Sequence, residues 1–218
     1  MNKITTLILL LVLNVLICLP AQEGEAEFIG FNAEQAFYAY FGAAGKTPPN
    51  EYLTAFMETC YPQQYQNTYR NEFEFAKLKQ VASKRLSDGI TGFNRNQLFV
   101  AITSSRFGDY DFDKEGFNLS PITILECLFT KNFRGENFYI NLLNYRNFDF
   151  MKIAPDPANN LIKAGTGIRG PTREYRMAIY FKFDVPPKDA KENNLYAVVQ
   201  RIDVIDDEYE TIATVIKK

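Results

Sequence analysis

A chain of 218 residues with 46% hydrophobic and 23% charged residues has the composition of a globular protein, and its 19 Phe and 13 Tyr argue against disorder. A formal net charge of -2 excludes a general nucleic-acid binder, which needs a basic face to displace counterions. The sequence holds no His, so neither a Ser–His–Asp nor a Cys–His nucleophile system can form, and no imidazole can ligate zinc or move protons near neutral pH.

Residues 1–21 read as a cleaved signal peptide. Lys3 supplies the positive start, and residues 4–19 form an apolar run interrupted only by Thr5, Thr6 and Asn14. Pro20 then ends any helix, and Ala21 offers the small side chain that a signal peptidase accepts. Leu19, third before the cut, is large for such a site. The run is shorter than the ~20 residues a bilayer-spanning helix needs, which counts against an uncleaved anchor. A lipoprotein modified at Cys18 is the other rival; Leu16 and Ile17 before it fit that processing badly. Cleavage leaves roughly 200 residues, enough for one domain with a sizeable core or at most two small ones. The expectation is a secreted or periplasmic protein with no stable membrane span after cleavage.

Residues 22–27 are polar and acidic, as a mobile terminus would be. Asn32 stands as an N-cap with Gln35 three residues on, predicting a helix over 33–44 with Ala36, Phe37, Tyr40 and Phe41 on one stripe. Gly42, Gly45 and Pro48-Pro49 mark its end. A short helix over 50–59 carries Leu53, Phe56 and Met57 inward. The clearest helical pattern runs from 62 to 87. Pro62 suits its first turn, and Tyr65, Tyr69, Phe73 and Ala76 recur at spacings of three and four, joined by Phe75, Leu78, Ala82 and Leu86. Gly89 and Gly92 terminate it. Its basic cluster, Lys77, Lys79, Lys84 and Arg85, reads as a solvated helix face.

Beyond Gly92 the texture becomes strand-like. Strands are predicted over 97–107, 109–113 and 122–129, although Ser120-Pro121 offers a helix start as an alternative, and one or two more fall in 138–150. Residues 155–164 read as a short helix. In 175–185 the odd positions Tyr175, Met177, Ile179, Phe181, Phe183 and Val185 are apolar, the alternation of a half-buried strand. Strands over 195–204 and 210–216 follow short polar connections, which favour antiparallel neighbours. The fold class is therefore α+β, with N-terminal helices packed on a mainly antiparallel β-sheet formed by the C-terminal part. Residues 22–218 form a single domain on this reading, helical over 22–92 and sheet-rich over 93–218.

Cys60 and Cys127 remain once Cys18 leaves with the signal. In an oxidising compartment they could pair, and a loop of that length contributes about 4 kcal/mol in the chain-entropy account. Two separately buried thiols, behaving as small hydrophobes, are the competing reading.

Gly165-Thr166-Gly167-Ile168-Arg169-Gly170 fits G-x-G-x-x-G, but a helix precedes it and Pro171 with a strand follows, the reverse of what a pyrophosphate site needs. Gly42-Ala43-Ala44-Gly45-Lys46-Thr47 resembles a phosphate loop, yet Tyr40 stands where its first glycine belongs and Pro48-Pro49 block the helix that should follow. Asp109, Asp111 and Asp113 are the metal candidates. An EF-hand loop is excluded by Lys114 and Ser120, but spacing of two on a strand places three carboxylates on one face, which calcium would relieve. The plainer reading is an exposed strand face with Tyr110 and Phe112 turned inward. No catalytic or cofactor-binding residue is singled out, and no cofactor is implied.

Asn71-Glu72-Phe73-Glu74-Phe75 leading into Ala76-Lys77-Leu78-Lys79, with Phe112, Gly116-Phe117 and Phe148-Asp149-Phe150, resembles an uncharacterised family of bacterial exported domains, across residues 65–205. The resemblance implies no activity, cofactor or site. The functional expectation is a non-catalytic protein binding an envelope or extracellular partner or ligand. The alternatives are a carboxylate-dependent hydrolase, showing a deep cleft with converging Asp or Glu, and a structural component of an envelope assembly, showing a flat apolar patch or open sheet edge.

Overall fold

The structure, a computed structural model, describes residues 28–68, 70–120, 122, 124–126, 139–164, 166–167, 170–171, 174–190, 194–206, 208–215 and 217. The expected signal peptide with Cys18, and Tyr69 and Cys127, lie outside these residues.

A short strand, β1 (Phe28–Gly30), opens the described chain and pairs in parallel with β2 (Leu98–Asp111). Helix α1 (Ala33–Ala44) starts where Asn32 Oδ1 accepts a hydrogen bond from the Gln35 amide at 3.0 Å, satisfying one orphan donor of the first turn. It ends at Gly45, whose φ of 62° is the left-handed conformation glycine adopts at little cost. Helix α2 (Asn50–Cys60) follows the rigid Pro48-Pro49.

The long helix expected over 62–87 is two helices, α3 (Pro62–Thr68) and α4 (Glu72–Thr91). Asn71 makes the break. Its side chain accepts from the Phe73 and Glu74 amides at 3.2 and 3.3 Å, a cap that needs non-helical backbone. The break resets the helical phase. Leu78, Ala82 and Leu86 face the core, while Phe73, assigned to the apolar stripe from the sequence, is 82% exposed. Gly89 lies inside α4 rather than ending it, because the Tyr38 ring occupies the space a Cβ would need.

β2 joins the strand expected over 97–107 to the start of that expected over 109–113, ending at Asp111, with an irregularity between Phe107 and Tyr110, and turns back into β3 (Gly116–Leu119). β4 (Ile124–Glu126), β5 (Tyr139–Leu142), a 3-10 turn at Tyr145–Phe148 and β6 (Phe150–Lys152) follow. Helix α5 (Pro155–Ala164) matches its expected bounds. The small pair β7 (Thr166–Gly167) and β8 (Gly170–Pro171) leads into the long strands β9 (Glu174–Phe183) and β10 (Asn194–Ile205), then β11 (Thr211–Val215).

Among the described residues the main sheet has nine strands in the order β4-β5-β10-β9-β2-β3-β6, with β1 beside β2 and β11 beside β10. It is mainly antiparallel, as the alternating pattern and short turns predict. The parallel pairs β1–β2 and β5–β10 make it mixed. β6 also packs near β11, so the sheet curls. On β9 every expected inward residue from Tyr175 to Phe183 is buried; Val185 lies past the strand end, exposed. One hydrophobic cluster joins Phe37, Phe56 and Leu86 of the helices to Phe99, Ile179, Phe181 and Val199 of the sheet. Its centre is aromatic. Phe31, Phe99, Phe181 and Phe183 meet one another at centroid distances of 5.2–6.1 Å, mostly edge to face. The chain is an α+β protein in which helices precede a C-terminal, mainly antiparallel sheet.

Candidate functional site

A cleft of about 330 Å³ opens between the loop joining α1 to α2 and the C-terminal half of α4. Leu53, Leu86 and Ile90 give it apolar walls, and Thr47, Asn50, Ser83, Ser87 and Thr91 give it neutral hydrogen-bonding groups. Lys46 is its charged residue, and among the described residues no carboxylate, thiol or phenol lines it.

Local sequence explains why the cleft persists. The left-handed Gly45 turns the chain out of α1, and the Lys46 amide closes back on the Phe41 carbonyl at 3.1 Å. Pro48 and Pro49 then restrict the loop before α2. Ser83, Ser87 and Thr91 recur every four residues, so they line one stripe of α4 beside Leu86 and Ile90. Arg95 fixes the two walls to each other by donating to the Ala43 carbonyl at the end of α1, and Phe93 packs against Gly42, where a Cβ would come within 2.7 Å of it.

A second polar group lies where α1, α2 and α4 meet. Glu34 accepts from Arg85 at 2.5 and 2.8 Å and from the Tyr38 hydroxyl, while Arg85 also sits over the Tyr61 ring. Burial, then the hydrogen bond to Glu34 and its charge, hold the Tyr38 hydroxyl well above the usual phenol range. Cys60 is half-buried here and unbridged among the described residues; burial and then Glu34, opposed by Arg85, push its thiol up to about 12. Such a thiol stays protonated and is a poor nucleophile. The other basic residues of α4 are solvated: Lys77 pairs with Glu74 at 2.8 Å and Lys84 with Asp88 at 3.9 Å.

The face of the sheet opposite the core carries Phe28 and Ile102, 52% and 47% exposed, near the middle strands. There Arg201 lies over the Tyr180 ring at 4.3 Å and covers Asp203, which is fully buried. Asp203 Oδ2 accepts from Arg201 at 2.6 and 2.9 Å, and Oδ1 accepts from Thr214 at 2.8 Å, so both oxygens are satisfied. Paired in this way, a buried carboxylate binds β10 to β11 and is closed to chemistry.

The three expected metal candidates do not share a strand face. Asp109 and Asp111 belong to β2, but the strand ends at Asp111 and Asp113 falls in the turn. Asp111 is the turn's own cap: Oδ1 accepts from the Asp113 and Lys114 amides at 3.1 Å and Oδ2 pairs with Lys114 at 3.0 Å. The Lys114 side chain, then its amide, hold the Asp111 carboxyl below its ordinary range. Among the described residues no cluster of three or more His, Cys, Asp or Glu could hold a metal ion. No helix among them is long and apolar enough to cross a membrane. The described parts of the glycine-rich segment, β7 and β8, pair with each other as a turn.

The cleft escaped sequence reasoning because its walls come from separate segments. The one local signal was Gly45-Lys46-Thr47 before two prolines, weighed as a phosphate loop; Gly42 to Ala44 are in fact the last turn of α1.

Fold and cleft together define an α+β protein with a cavity of about 330 Å³ between the α1–α2 loop and α4. The chain belongs to the family described as Domain of unknown function (DUF4852), which matches residues 50–164. Searches of the curated proteins and of the solved structures find no significant match.

Proposed function

We propose that this chain is exported, through the signal at residues 1–21, and that outside the cytoplasm it binds a small ligand without catalysis, in the cleft between the α1–α2 loop and α4. One observation carries the binding part: a preformed cavity of about 330 Å³, apolar at its walls and edged by hydroxyls and one lysine, at the lower end of the usual range for ligand pockets. A carboxylate-dependent hydrolase needs two acids converging in its cleft, and this lining holds none. A thermal-shift screen against organic acids, glycans, lipids, peptides and divalent metals tests the binding reading. A ligand that raises the melting temperature of the protein, and does so less for the cleft-filling Ser87→Phe, supports it; turnover of any such ligand overturns the non-catalytic part. Export is tested by the intact mass of protein recovered outside the cytoplasm. A mature chain starting at or within a few residues of Gln22 is expected, and full-length chain in the cytosol overturns it.

The exposed Phe28 and Ile102 favour a second reading, a structural component of an envelope assembly that associates through this sheet face. Sedimentation of the protein alone distinguishes it: self-association that Ile102→Ser abolishes favours assembly over ligand binding.

A further inference from the structure

We infer that the cleft takes a small organic monoanion, a carboxylate on an apolar body, with Lys46 meeting the carboxylate. This rests on the reading of the cleft as a ligand site, and it follows from the sign and distribution of the lining groups. Lys46 is the charged side chain of the lining, so the pocket compensates one negative charge. A dianion would bring a second charge out of water with nothing to meet it, a costly step even in a partly open cleft. A metal cation would meet a lysine and no carboxylate. A neutral hydrocarbon would fit Leu53, Leu86 and Ile90 but would strip water from Lys46 and the hydroxyls without replacing it.

The neutral groups support the same class. Thr47, Asn50, Ser83 and Ser87 offer donors that a carboxylate oxygen accepts beside an ammonium. The apolar walls lie between these polar edges and suit a short aliphatic chain. The loop holding Lys46 is stiffened by Pro48 and Pro49, which limits the ordering cost of binding.

Hexanoate, hexan-1-ol, adipate and hexylamine are the probes, titrated into the isotopically labelled protein with amide shifts read by NMR. Hexanoate is expected to move the signals of Leu53, Leu86 and Ile90, and adipate and hexan-1-ol to bind more weakly. Lys46→Ala should weaken hexanoate by about tenfold, the loss of one charge-assisted contact, and Lys46→Arg should restore most of it. Lys46→Glu should exchange the preference, taking hexylamine in place of hexanoate. Lys46 is exposed, and circular dichroism checks that each variant keeps the fold. Hexan-1-ol bound in the cleft as tightly as hexanoate, or hexanoate indifferent to Lys46→Ala, overturns the anion class while leaving the cleft a site. Signals that stay still for every probe overturn both.

Discussion

Asn144 shows how one side chain can stand in for a strand. Along one edge of β10, β5 pairs with residues 194–197 and β11 with residues 202–205, leaving Val199 between them. Asn144 fills the gap, donating to the Val199 carbonyl at 2.9 Å and accepting from its amide at 2.8 Å, as a neighbouring strand would. Asn144→Ala should cost about 2 kcal/mol, because both backbone groups lose their partner near the core; chemical denaturation measures it. Asn144→Asp keeps the acceptor and loses the donor, so it should also destabilise. Cys60 carries a prediction of opposite flavour. Its thiol is raised from 9.0 in the unfolded reference to about 12 in the fold. The folded state therefore holds a proton that the unfolded chain releases first. This contribution is complete below pH 9 and is lost as pH rises through 12. Tyr38, raised by burial and Glu34, acts in the same direction above pH 10. Stability should fall with pH across that window, and the fall should be shallower in Cys60→Ala and in Tyr38→Phe, read from melting temperatures at each pH. A disulfide at Cys60 would remove the thiol and its share of this slope, so the pH profile under reducing and non-reducing conditions also reports on the Cys60–Cys127 pairing.

Among the elements, α4 separates what local sequence dictates from what packing dictates. Asn71 was visible as a capping residue type, but the apolar spacing from Tyr65 to Ala76 ran through it and suggested one continuous helix. Hydrophobic period and capping chemistry disagreed there, and capping prevailed, since the Asn71 carboxamide satisfies two first-turn amides at once. Asn71→Ala should therefore cost about 1 kcal/mol. Gly89 is the reverse case. Replacing a helix-interior glycine with alanine ordinarily stabilises by about 1 kcal/mol, and nothing in the sequence warns otherwise. Tyr38, distant in sequence and held by Glu34, occupies the Cβ position, so Gly89→Ala should lower the melting temperature. A rise would mean that the Tyr38 ring moves aside freely. Where pattern and packing agree, boundaries were legible. α1 and α5 match their expected ranges because Asn32, Gly45 and Pro155 mark ends that the tertiary structure also needs. β1 was illegible for a plain reason: Phe28–Gly30 is too short to show a period and finds its place only by pairing with β2.

At the scale of the molecule, what sequence cannot show is what distant segments make together. The alternation in β9 predicted an inward row of aromatics, but nothing local says that Phe31 and Phe93, flanking the helical part, would pack on Phe99 and Phe183. Those contacts bind helices and sheet into one core, and the same closure brings the α1–α2 loop against α4 to form the cleft. The consequence is cooperative unfolding. Leu86 is buried where α4 meets both the core and the cleft, and Leu86→Ala should cost about 2–5 kcal/mol through the cavity it leaves. If one core serves both parts, that loss lowers a single transition. Far-UV circular dichroism, which sees helix and strand, and tyrosine fluorescence, which samples both regions, should then give coincident curves in the native protein and shift together in the variant. Two separated transitions, with only the helical one moved by Leu86→Ala, would mean that the aromatic contacts between residues 31, 93, 99 and 183 do not couple the two parts. The cleft would then belong to a helical unit stable on its own.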